Sequence, residues 1–82
     1  MNEQLVEQVN RERALRRGYI VFATDPTVAP DQPGYREAFA TEARTARHAM
    51  ARVRPLASDR RLRAFLATGI YRHELLNARW VP

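Results

Sequence analysis

GYREAFATEARTARHAMARV, residues 34–53, is the stretch on which the fold turns. Tyr35, Phe39, Ala43, Ala46, Met50 and Val53 recur at spacings of three and four, which is the pattern of one helix face. Pro33 or Gly34 suits the opening of such a helix, and Pro55 ends it by disfavouring helical geometry at Arg54. The spacing therefore predicts a helix from about Gly34 to Val53. Its alanines suit close packing against a neighbouring helix.

That neighbour is read from the residues that follow. Ser58 is a good N-cap, with Asp59 in the first turn. At 100° per residue Leu62, Phe65, Leu66, Gly69, Ile70, His73, Leu76 and Trp80 fall within a sector of about 140°. Tyr71 and Leu75 lie on the opposite side. Either Gly69 breaks the helix, or a second apolar face docks onto a partner; one long helix bent at Gly69 is the expectation. The fold class is then mostly α, built around an antiparallel two-helix hairpin. Its expected core is Tyr35, Phe39, Met50, Val53, Leu62, Phe65, Leu66, Leu76 and Trp80.

On the N-terminal side, residues 3–17 read as a first helix. Leu5, Val6, Val9 and Leu15 form a thin stripe, and Gly18 is placed as the C-terminal stop. Glu3 and Glu7 come early and Arg13, Arg16 and Arg17 late, which complements the helix dipole. Tyr19-Ile20-Val21-Phe22-Ala23 is the one convincing strand, bounded by Gly18 and Asp25-Pro26. Residues 25–34 hold three prolines and form a loop. A lone strand cannot satisfy its own backbone groups. Its partner must be a weak strand in that loop, Arg79-Trp80-Val81, or the same strand in a second copy. The last option makes a homodimer whose interface would use Tyr19, Ile20, Val21 and Phe22, with Tyr71 and Leu75.

The chain has 82 residues, which implies a single small domain spanning 1–82 with a modest core. All fourteen basic residues are arginine, and the formal net charge is +5. Residues 1–34 carry four arginines and five acids, hence −1; residues 35–82 carry ten arginines and four acids, hence +6. A GC-rich genome would replace lysine with arginine everywhere, but it would not decide where the arginines sit. On a helical wheel of residues 35–54, Arg36, Arg44, Arg47 and Arg54 fall within about 80° of one another. Arg60, Arg61 and Arg63 open the next helix, so the hairpin would pool all seven at one corner. Guanidinium groups there would engage phosphates or a partner's carboxylates.

Catalytic chemistry finds no footing. There is no cysteine, the only serine sits as a cap, and the three glycines are isolated. His48 and His73 stand at unrelated spacing, so no metal site and no cofactor is expected. No signal core or membrane-length apolar run is present, which fits a soluble cytoplasmic protein with no membrane partner. A helix-turn-helix around Gly69 would need a small residue where Phe65 stands.

The expectation is a non-enzymatic small basic protein, a modulator or inhibitor that docks on a larger protein or nucleoprotein machine with an acidic surface. The alternative is a nucleic-acid-binding module, such as a degenerate helix-turn-helix, that contacts DNA or RNA phosphates through the same arginines. In size, lack of catalytic residues and arginine bias the chain resembles the small proteins that phages and mobile elements use against host machinery, anti-CRISPRs among them. The resemblance is one of kind and transfers no site.

Overall fold

The computed structural model describes residues 16–67 and 72–82. Of the helix expected over residues 3–17, residues 3–15 lie outside the described residues, while Arg17 and the expected stop Gly18 belong to a strand. The bend at Gly69, Tyr71 and the side chain of His73 also lie outside the described residues.

The strand at the centre of the sequence reading is present. Tyr19 to Ala23, flanked by arginine, glycine and threonine, forms β1 (Arg17–Thr24). Its β-branched and aromatic side chains alternate across a pleated surface. Far from lacking a partner, β1 is bonded on both edges. On one side it pairs antiparallel with β2 (Arg36–Ala43), in a register that sets Tyr19 against Thr41 and Val21 against Phe39. On the other it pairs antiparallel with β3 (Arg61–Leu66), which sets Val21 against Ala64. A short strand β4 (Arg79–Val81) runs parallel to β2. The sheet order is β3-β1-β2-β4.

This overturns the mostly α expectation. The described residues form a mixed four-stranded sheet with one full helix, α1 (Ala46–Ala57), and one short helix, α2 (Arg72–Asn77). The helix predicted over 34–53 is split at Arg44-Thr45 into β2 and the start of α1. The long helix predicted after Ser58 gives way to β3, α2 and β4. Arg79-Trp80-Val81 is a strand, as one of the three sequence options has it, but it pairs with β2 and not with β1. The physical reason is backbone accounting: β1 needs hydrogen bonds along both edges, and that tertiary demand outweighs the modest helix preference of alanine and glutamate.

α1 covers one face of the sheet. Tyr19, Val21 and Ala23 of β1, Phe39 and Ala43 of β2 and Val81 of β4 form the core with Ala49, Val53 and Ala57 of α1. Ala46 and Met50 extend the same stripe, so the helical spacing read from the sequence holds for this segment. Small alanines at that interface let the helix axis approach the sheet closely. Thr45 is the N-cap, its hydroxyl accepting from the His48 amide at 3.1 Å. Pro55 lies inside α1 instead of ending it.

Of the expected core, Phe39 and Val53 are fully buried. Leu76 and Trp80, assigned to the hairpin core, are 85% and 57% exposed. Ser58 opens no helix as an N-cap; it is the C-cap of α1. It has φ 53° and ψ −127° and stands as the first central residue of a turn closed by the Arg60 amide on the Ala57 carbonyl at 3.1 Å. Those angles are of type II′, which delivers the chain from α1 into β3. The β1–β2 connection is an ordered loop closed by the Asp25 amide on the Tyr35 carbonyl at 2.8 Å. Gly34 takes φ 88° just before the chain enters β2.

Candidate anion-binding surface

The seven arginines assigned to a single corner are distributed by the fold to different tasks. Arg54 donates to the Ser58 carbonyl at 2.9 Å and the Arg60 carbonyl at 2.7 Å. Arg60 donates to the carbonyls of Ala57 and Leu56 and pairs with Glu37 at 3.0 Å. These two guanidinium groups close the C-terminal end of α1, where carbonyl groups lack helical partners and the dipole favours cations. Arg36 lies 4.5 Å from the Phe22 ring centroid and pairs with Glu74 at 3.3 Å, which ties α2 to β2. Arg63 sits over Phe65 on the same sheet face, with Arg61 exposed at the start of β3.

Arg44 and Arg47 stand at the opposite end of α1. A helix of twelve residues separates them from Arg54 and Arg60 by up to about 18 Å. The corner therefore does not form, because it required residues 34–53 to be one helix.

A different basic cluster takes its place. Pairing of Arg17 with Ala43 brings the start of β1 beside the end of β2. From there the chain turns through Arg44 and Thr45 into α1. Arg16, Ala43, Arg44, His48, Ala51 and Arg52 line an open groove of about 450 Å³ at this junction. Arg44, His48 and Arg52 follow one another at four-residue intervals, so they project from one side of the helix and its entry. Ala43 and Ala51 keep the floor shallow. Among the described residues no carboxylate lines it. The first turn of α1 has no acidic residue either, so the positive end of the helix dipole adds to the cationic field.

Arg44 belongs to the set read from the sequence; Arg16 and Arg52 do not, and His48 falls near the arginine flank in that reading without being assigned to it. The interval Arg44–His48–Arg52 is a signal in the sequence. Arg16 is not accessible that way, since only strand pairing brings it to α1.

Other chemistry is sparse. Among the described residues no group of three or more histidine, cysteine, aspartate or glutamate side chains could hold a metal ion. No helix among them is long and apolar enough to cross a membrane. The Asp25 carboxyl is held below its usual range by the Thr27 hydroxyl at 2.6 Å and the Thr27 amide at 2.9 Å, with Arg60 adding a smaller attraction. That shift stabilises a turn and belongs to the loop.

Compared with models of known families, with characterised proteins and with solved structures, the chain matches none.

Proposed function

We propose that this chain is a non-enzymatic binding protein, a modulator that docks its arginine groove on an acidic patch of a larger protein or nucleoprotein assembly. The observation that carries this reading is the groove of Arg16, Arg44, His48 and Arg52, where three arginines share one lining that, among the described residues, includes no carboxylate. Arginine forks accept carboxylates in bidentate geometry, and arginine is enriched at protein interfaces. A second observation favours a protein partner over single-stranded nucleic acid. Phe22, Phe39 and Phe65 each already have a guanidinium of this chain over the ring, from Arg36, Arg60 and Arg63. Rings occupied in this way do not offer the stacking platform that single strands use.

The test is affinity capture with and without nuclease, using the wild type and the double variant Arg44→Glu/Arg52→Glu. Both positions are exposed, and a melting curve checks that the variant is folded. It should lose the captured partner by at least tenfold, and capture should survive nuclease. Loss of capture on nuclease treatment would overturn the protein reading. So would binding to free duplex DNA with a log–log salt slope of about −2.7, as three phosphate contacts would give.

A further inference from the structure

The sheet has two edges. β4 is only three residues long, which blunts its edge. β3 is six residues long, in continuous register with β1, with no proline and no bulge. We infer that β3 pairs antiparallel with β3 of a second copy about a two-fold axis through Ala64, joining two sheets into one of eight strands.

The hydrogen-bond alternation fixes which groups are on offer. The Ala67 amide donates to the Gly18 carbonyl at 2.9 Å, so Gly18 and Ala67 form a hydrogen-bonded pair. Antiparallel pairs alternate, so Phe65, Arg63 and Arg61 also direct their backbone groups to β1. The amides and carbonyls of Leu62, Ala64 and Leu66 point away from β1. Among the described residues they have no partner.

A two-fold through Ala64 uses all of them. It pairs Ala64 with Ala64, Leu62 with Leu66 of the second copy, and Leu66 with Leu62. Each is a hydrogen-bonded pair with two bonds, so three pairs supply six. Moving the axis one residue to Arg63 would set Arg63 against Arg63 and leave Leu66 against Arg60.

The side chains agree with the Ala64 register. Leu66 is 41% exposed although it lies on the same face as Leu62 and Ala64, which pack against the core. Setting it beside Leu62 of the second copy extends that apolar surface across the axis. On the other face Arg63 falls opposite Phe65 of the second copy. Arginine over phenylalanine is the contact these two residues already make within one chain, at 5.5 Å. The interface is self-complementary, as a two-fold demands. It replaces the dimer read from the sequence, whose premise was that β1 had bare edges.

Two variants test the register in the whole chain. Ala64→Pro removes the amide at the axis and leaves every β1–β3 hydrogen bond in place, since residue 64 makes none of them. Sedimentation of the wild type should show a concentration-dependent dimer at tens of micromolar. In Ala64→Pro the dissociation constant should rise at least tenfold with an unchanged circular dichroism spectrum. The chain has no cysteine, so Ala64→Cys reports the same geometry even if the proline variant fails to fold. Paired residues there stand about 5.5 Å apart, within disulfide reach, and mild oxidation should link two copies. Arg61→Cys is the control, because its two copies would lie about 20 Å apart along the strands. A wild type that stays monomeric at 100 µM would overturn the inference, as would equal cross-linking of the Arg61→Cys and Ala64→Cys variants. Arg44→Glu/Arg52→Glu should leave the dimer intact, so the fate of this interface is separate from that of the groove.

Discussion

β2 and α1 are adjacent in the chain, both rich in alanine and both carrying arginine, yet they meet the rest of the molecule in different ways. β2 lies between β1 and β4, and three consecutive residues, Phe39, Ala40 and Thr41, are buried on alternating faces. α1 buries one stripe, with Ala49, Val53 and Ala57 against the sheet, and gives its remaining sides to solvent and the groove. The lesson is that side-chain type sets little here. β2 is a strand because two neighbouring backbones require it, and α1 is a helix because a single apolar stripe suffices to hold it.

The largest effect should come from Phe39, which is fully buried where β2 crosses under α1. Phe39→Ala should cost about 3–5 kcal/mol, a large share of the stability of so small a domain. Leu66→Ala, on the exposed edge of β3, should cost less than about 1.5 kcal/mol by chemical denaturation. Equal costs would mean that β2 is not the buried strand.

The next test uses two threonines four residues apart. Thr41, buried in β2, donates its hydroxyl to the Val81 carbonyl at 2.9 Å and so fastens β4. Thr41→Val keeps shape and strand preference but orphans that carbonyl, at a cost of about 1–2 kcal/mol. Thr45→Ala removes the cap of α1 at a cost of about 1 kcal/mol, and Thr45→Ser should restore most of it. Thr41→Ser should not be similarly benign, since it also empties a methyl-sized space. Thermal melts of the four variants separate strand from cap.

The reason the strand is hidden in the sequence lies in a coincidence of spacing. Tyr35, Phe39 and Ala43 are four residues apart, and a separation of four returns to the same face in a strand as well as in a helix. Leu62 and Leu66 share that ambiguity. The alternation in Arg61-Leu62-Arg63-Ala64 is the better signal for β3, overshadowed by a helical sector that runs on to Trp80. By contrast, Tyr19 to Ala23 has β-branched and aromatic residues in an unbroken run, which no helix face explains. Val53 and Met50 are legible because the segment Ala46 to Ala57 is a helix in either reading. Arg44 is legible as an outward cation, but the groove needs Arg16, which reaches it only through the pairing of β1 with β2.

A smaller gain is expected at the junction of α1 and β3. Ser58 holds φ 53°, where a side chain is strained, so Ser58→Gly should raise stability by about 0.5–1 kcal/mol. An unchanged or lowered melting temperature would show that the turn relaxes without glycine.

The smallest effect concerns pH. The Asp25 carboxyl is held low by Thr27, so its contribution is present above the ordinary aspartate value of about 3.9 and is lost as pH falls through the lowered folded value. Asp25→Asn should remove a slight acid sensitivity below about pH 4. Melting temperatures of the two proteins should therefore differ at about pH 5 and converge towards pH 3.

The sheet order also sets the tempo of folding. A helical hairpin closes through neighbours in sequence and can form in microseconds. Here β4 must find β2 across forty residues, as the contact between Thr41 and Val81 shows. Each such closure gives up chain entropy before any contact offsets it. Refolding should therefore run in milliseconds or slower, with β1 and β2 joined early and β4 docking last. Thr41→Val should then speed unfolding more than it slows folding.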